Sequence, residues 1–147
     1  MARLVEATAA AEVAAVRELF AEYARLVDEP CCFADFEREL AELPGDYRLF
    51  LADGHAGCVA IRLLDPQTAE MKRLYVRAAH RGRGLGRALA ETAIAAARAA
   101  GCARIVLDTL PKMQEAQALY RALDFRPIPP YLKNPTPGAL CFELSLS

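Results

Sequence analysis

At 147 residues the chain has the size of one ordinary domain, expected to bury about 70% of its unfolded surface. With 54% hydrophobic and 25% charged residues it is neither disordered nor in need of cross-links. Its five cysteines, an odd set without a C-x-x-C pair, argue against a disulfide framework or a zinc site and read as reduced thiols of a cytoplasmic protein. No apolar run approaches the roughly eighteen residues of a membrane span.

Residues 3–7 read as a short first strand, with Thr8 as N-cap of a helix whose Val13, Val16, Phe20, Tyr23 and Val27 recur at spacings of three and four. Pro30 closes that helix, and 33–43 forms a second, shorter, acidic one before the Pro44-Gly45 turn. Residues 47–52 and 55–64 are two apolar strands joined through Asp53-Gly54, a strong hairpin signal. After Asp65-Pro66, residues 69–76 give a fourth strand, followed at once by the glycine-rich turn Arg81-Gly82-Arg83-Gly84-Leu85-Gly86. Leu85, Leu89, Ala93, Ala96 and Ala100 mark the buried stripe of an Ala-rich helix that stops at Gly101. A fifth strand at 104–109, a helix at 114–123 and a last strand at 139–146 complete the order. Residues 127–137 hold five of the nine prolines and read as a stiff, extended loop. The strand–helix–strand unit at 69–109 needs a right-handed crossover, so strands four and five are parallel in an otherwise mostly antiparallel mixed sheet. The fold class expected is α/β (α+β), one domain over 1–147 with helices on both sheet faces.

The net charge of −1 conceals a division. Residues 1–70 carry 6 arginines and no lysine against 14 acids, a balance of −8, while 71–147 carry 12 basic side chains against 5 acids, a balance of +7. Between 71 and 90 there is no acid, and Lys72, Arg73, Arg77, Arg81, Arg83 and Arg87 lie together. A strand, a glycine-rich turn and a helix in succession form an anion site by construction, because the first N–H groups of the helix lack partners and the helix dipole favours negative charge there. A small polyanion suits this cluster better than nucleic acid does: the total charge is wrong for a nucleic-acid binder and no aromatic residues interleave with the arginines. A dinucleotide fingerprint fails at Arg87, and no Gly-Lys-Ser/Thr is present.

The remaining pattern, Arg81-x-x-Gly84-x-Gly86, resembles that of the GNAT superfamily of N-acetyltransferases, Gln/Arg-x-x-Gly-x-Gly/Ala between a fourth strand and a third helix. The similarity runs from about residue 69 to 125 and includes Ala116-x-x-Leu119-Tyr120-x-x-x-Asp124-Phe125. The first 68 residues match only in element order. The resemblance implies acetyl-CoA as co-substrate, with no metal. Backbone amides from Arg81 through Gly82, Arg83, Gly84, Leu85 and Gly86 to Arg87 would hold its pyrophosphate, with Gly84 and Gly86 admitting a close approach. Leu74, Tyr75 and Val76 would pair with its pantetheine arm where strands four and five splay, and an amide there would polarise the thioester carbonyl. Two positions depart from the family pattern: Met113 stands where Asn is common and Asp124 where Gly is common.

Acetyl transfer needs a neutral amine, and a lysine-like ammonium costs about 4–5 kcal/mol to deprotonate at neutral pH. Glu70, on strand four eleven residues before Arg81, stands where some members of the family it resembles place a catalytic glutamate and is the candidate base, directly or through water; the other reading is a strand carboxylate paired with Lys72 or Arg73. Tyr120 matches the family's donor to the departing thiolate; the other reading is a core aromatic. His55 and His80 are lone, and the cysteines read as packing residues. The function expected is acetyl transfer to a primary amine of a small molecule or peptide in a ternary complex, the rival being a non-catalytic acyl-CoA sensor. Acids near the expected acceptor cleft (Asp28, Glu29, Asp35, Glu37, Glu39) suggest a cationic acceptor. No nucleic-acid or membrane partner is expected, and the oligomeric state is open, a homodimer included.

Overall fold

The computed structural model describes residues 3–28, 35–132 and 136–146. Seven strands among them form one sheet: β1 (Leu4–Glu6), β2 (Arg48–Ala52), β3 (Gly57–Asp65), β4 (Thr68–Val76), β5 (Arg104–Thr109), β6 (Arg126–Ile128) and β7 (Leu140–Ser145). The helices are α1 (Ala10–Val27), α2 (Phe36–Glu42), α3 (Leu85–Ala99) and α4 (Gln114–Ala122). Sheet order is β1-β2-β3-β4-β5-β7-β6, antiparallel throughout except for β4 beside β5. The expected mixed sheet is therefore the one observed.

Strand alternation sends side chains to two cores. Phe50, Val59, Ile61 and Met71 face α3, whose Leu89, Ala90, Ala93 and Ala97 are fully buried against them. Leu49, Leu51, Cys58 and Ala60 point the other way, onto Val16, Leu19 and Phe20 of α1. Alanine at the α3 contact positions lets the helix lie close on the sheet, and Gly57 is tighter still. A Cβ there would sit 2.5 Å from the Tyr75 carbonyl oxygen, so the β3–β4 backbones meet where only glycine fits.

Two irregularities of β4 shape the site. Its parallel pairing with β5 covers only Thr68/Arg104, Ala69/Ile105 and Glu70/Val106. Beyond Glu70, β4 stays with β3 while β5 continues along β7 through Leu107, Asp108 and Thr109, so the sheet splays. In the same stretch β4 carries a bulge: Cys58 faces Tyr75 and Ala60 faces Lys72, one residue too many on the β4 side, with Arg73 left-handed at φ 59°. The bulge reverses the alternation. Ala69 and Met71 pack toward α3 before it, whereas after it Tyr75 joins the α1 core and Leu74 and Val76 pack toward α3.

Several local expectations are corrected. Thr8 is not the N-cap of α1: the helix starts after Ala9, and the Glu12 carboxylate caps it by accepting from the amides of Thr8 (3.1 Å) and Ala9 (3.0 Å). It ends at Val27, before Pro30, on Asp28 in the left-handed region. Residues 53–55 form a 3₁₀ turn, so β3 begins at Gly57 and not at His55. The proline-rich stretch is not all loop, since Arg126–Ile128 pairs with β7. Pro127 is tolerated there because β6 is an edge strand. Of the expected second helix, residues 33 and 34 lie outside the described residues, and α2 begins at Phe36.

Candidate active site

A cleft of about 800 Å³ runs from the glycine-rich turn into the splay between β4 and β5. At its outer end the chain leaves β4, makes one 3₁₀ turn at 78–80 and passes through Gly82 (φ 79°) to Gly84 (φ 74°), the N-cap of α3. Glycine is required at 84 by that left-handed backbone and not by crowding, because a Cβ there would meet nothing within 4 Å. At Gly86 a Cβ would make ordinary 3.8 Å contacts with Leu119 and Val76, so the protein itself leaves room for it.

Ala88 is bonded back to the Gly84 carbonyl at 3.1 Å, which leaves the amides of Leu85, Gly86 and Arg87 ahead of the first such bond, aimed out of the helix end. The Arg81 side chain folds back to donate to the Val76 carbonyl (3.1 Å). Arg81, Gly82, Gly84, Leu85 and Gly86 line the cleft, as do Leu74, Tyr75 and Val76. Arg83 and Arg87 are exposed beside it, Arg87 in a loose 3.7 Å pair with Glu91. An open helix end, left-handed glycines, surrounding arginines and a strand edge released from its neighbour fit a diphosphate followed by an amide-bearing arm.

Of the two expected catalytic residues, Tyr120 lines the cleft from α4. It is buried against Phe125 and Phe142, and burial, with smaller contributions from Tyr23 and Asp108, pushes its phenol above the ordinary range. It stays protonated at any physiological pH. Glu70 is fully buried, does not line the cleft, and has both oxygens engaged, one by Arg62 Nε (2.7 Å) and the other by the Tyr131 hydroxyl (2.6 Å). Its partner is thus neither Lys72 nor Arg73. Arg73 reaches across to Glu39 on α2 with two nitrogens, at 3.2 and 3.0 Å, and lies over the Phe36 ring.

Asp108 was not singled out from the sequence. It ends β5 inside the splay, lines the cleft, and has its carboxyl held above the ordinary range, by burial first, against a downward pull from Lys72 and an upward push from Glu70. A signal was available: Asp108 is the one charged residue in the run 105–110. Arg62, Lys72 and His80 also line the cleft. His55 sits away from it on the exposed turn between β2 and β3. Of the acids expected near the acceptor, Glu39 lines the cleft and is held by Arg73; Glu29 lies outside the described residues. Met113 occupies the start of α4, its sulfur 3.4 Å from the Thr109 hydroxyl. Cys58, Cys102 and Cys141 are buried and unpaired. Among the described residues no group of three or more His, Cys, Asp or Glu side chains forms a metal site, and no helix is long and apolar enough to cross a membrane.

Comparison with known proteins agrees with this fold. The family model described as the acetyltransferase (GNAT) family matches residues 13–125. An uncharacterized N-acetyltransferase of Schizosaccharomyces pombe is 37% identical over 71% of this chain and 66% of its own, so the match spans just under two thirds of that relative. A candidate acyl-CoA N-acyltransferase of Klebsiella pneumoniae superposes with a TM-score of 0.81 at 25% identity, covering 100% of this chain and 99% of that one. A GNAT acetyltransferase of Elizabethkingia anophelis, solved with acetyl-CoA bound, shares the fold at a TM-score of 0.68 and 16% identity, over 98% and 97% of the two chains.

Proposed function

The chain belongs to the GNAT acetyltransferase family, and we propose that it moves an acetyl group from acetyl-CoA to a primary amine of a small molecule by direct attack, both substrates being bound at once. One observation carries the reading: the open N-terminus of α3 and the splayed edge of β4 line a single cleft that ends at Tyr120 and Asp108. The co-substrate supplies an activated acetyl thioester. The amides of Leu85, Gly86 and Arg87 with the flanking arginines hold its diphosphate, and the free edge from Leu74 to Val76 holds its amide arm as an added strand.

The proton of the amine goes to Asp108 in this reading, because a carboxylate with a raised pKa is the better base at neutral pH and this one faces the cleft. Glu70 keeps a positioning role: it anchors Arg62 and Tyr131. The Tyr120 hydroxyl, protonated at neutral pH and lining the cleft, donates to the departing sulfur. A reducing, cytoplasmic setting suits the buried thiols of Cys58, Cys102 and Cys141.

The test pairs calorimetry with CoA and acetyl-CoA with a thiol-release assay over a panel of amines. Binding heat together with amine-dependent thiol release is expected. Binding without release for any amine would make the chain an acyl-CoA-binding module, and absence of heat with both forms of CoA would remove the reading.

A further inference from the structure

The inner end of the cleft holds more charge than proton transfer requires. Three cations converge there from adjacent strands, Arg62 on β3 and Lys72 and Arg73 on β4. Two are matched by carboxylates of the chain. Arg73 holds both oxygens of Glu39, which also accepts from the Tyr47 hydroxyl at 3.1 Å. Arg62 donates to Glu70, whose second oxygen takes the Tyr131 hydroxyl.

Lys72 is not so matched. Among the described residues no ion pair or hydrogen bond engages its ammonium, although the side chain is only partly exposed and lines the cleft. Across the splay Asp108 lines the same end without an ion pair to any cation. The inner-cleft charges without a contact partner are therefore Lys72 on β4 and Asp108 on β5, which act on each other only through space from opposite sides of the same opening. A partly buried charge that makes no contact ion pair or hydrogen bond is incompletely compensated, and a ligand that bridges the two with groups of opposite sign supplies those contacts.

Resting on the acetyltransferase reading above, we infer that the acceptor is a small zwitterion of α-amino acid type, its carboxylate received by the Lys72 ammonium and its amine turned toward Asp108. Charge matching excludes the main alternatives. A polyamine or aminoglycoside brings further positive charge against Lys72, Arg62 and Arg73. A peptide N-terminus sets a neutral amide at Lys72 and leaves it unmatched. A phosphorylated amine brings more negative charge than one unmatched cation balances.

The experiment uses the full chain saturated with CoA or acetyl-CoA and matched pairs of α-amino acids and their α-amides. Acetylation is followed by thiol release, and acceptor binding to the CoA-loaded chain by calorimetry. The free amine of an amino amide is the less basic and is intrinsically favoured at neutral pH, so preference for the acid reports recognition of the carboxylate. We expect at least one acid to bind and react about 10- to 100-fold better than its amide, the worth of one charge-assisted hydrogen bond. In Lys72→Met the acid-to-amide ratio of kcat/KM should fall toward one, carried by KM, with Lys72→Arg restoring part of it and CoA affinity unchanged. Taking the ratio cancels any effect of Lys72 on Asp108, which both members of a pair share. Amides or diamines that match or surpass every acid, a ratio that Lys72→Met leaves unmoved, or no acid binding to the CoA-loaded chain would each overturn the inference. Failure of the acetyltransferase reading is distinct from all of these, since it shows as absence of CoA binding in the first place.

Discussion

Asp108 and Glu70 lie on neighbouring parallel strands and differ in what surrounds them. Glu70 is fully buried with both oxygens bonded and does not line the cleft, whereas Asp108 is partly exposed to it and held protonated to higher pH by burial. The charged and titratable groups around Asp108 are Glu70, Lys72 and Arg73 from β4, Tyr120 from α4, Tyr131 and Cys141. Asp108→Asn is expected to remove the carboxyl's own step from the kcat/KM pH profile, leaving the rise that follows deprotonation of the amine, and to lower kcat about 10²-fold, while Glu70→Gln keeps that step and instead lowers stability by about 1–3 kcal/mol. A stability difference follows with a definite sign. The carboxyl pKa is raised on folding, so its contribution is full below the unfolded value and is lost as pH rises through the folded one. Asp108→Asn should therefore raise Tm near about pH 7 and leave it unchanged near about pH 3, measured by thermal melts at both. Tyr120→Phe should lower kcat about 10²-fold with CoA affinity intact. Sequence made Tyr120 legible through its motif. It hid Asp108 because an acid at a strand end declares itself only once the neighbouring strand is seen to diverge.

Among the elements, the strand–turn–helix unit of β4 and α3 was the most legible, since glycine spacing, arginine density and the alanine stripe all report the same local arrangement. The bulge at Arg73 was not. No sequence signal marks an arginine for left-handed backbone, and the reversal of facing it causes depends on pairing with β3. Gly57 was passed over for the same reason: its constraint comes from the Tyr75 carbonyl of another strand. Gly57→Ala should cost about 1–3 kcal/mol by overpacking, visible as a lower denaturation midpoint, and should weaken CoA binding because the shift falls at the end of β4. At the end of α4, Asp124 adopts φ 71°, the conformation that the family's usual glycine takes without strain. Asp124→Gly should then raise stability by about 0.5–1 kcal/mol without changing kcat, read from urea melts and steady-state rates.

For the whole molecule, element order and the parallel pair were readable from the crossover rule, because a strand–helix–strand unit leaves little topological choice. The extra strand at 126–128 was not, since three prolines in 127–130 masked an edge strand paired on one side only. Ligand linkage acts at this scale. Acetyl-CoA at about a hundred times its Kd should stabilise the native state by about 2.7 kcal/mol, a rise in Tm of roughly 5–10 °C by thermal shift. The splay has one more effect. Where β4 and β5 part, two strand margins in the middle of the sheet carry backbone donors and acceptors that no neighbouring strand shields, and such margins recruit stray extended segments. An occupant of the gap therefore also acts as a guard: light scattering on mild heating should show the empty chain clumping earlier than the chain kept with CoA, with the mouth of the sheet as the sticking point.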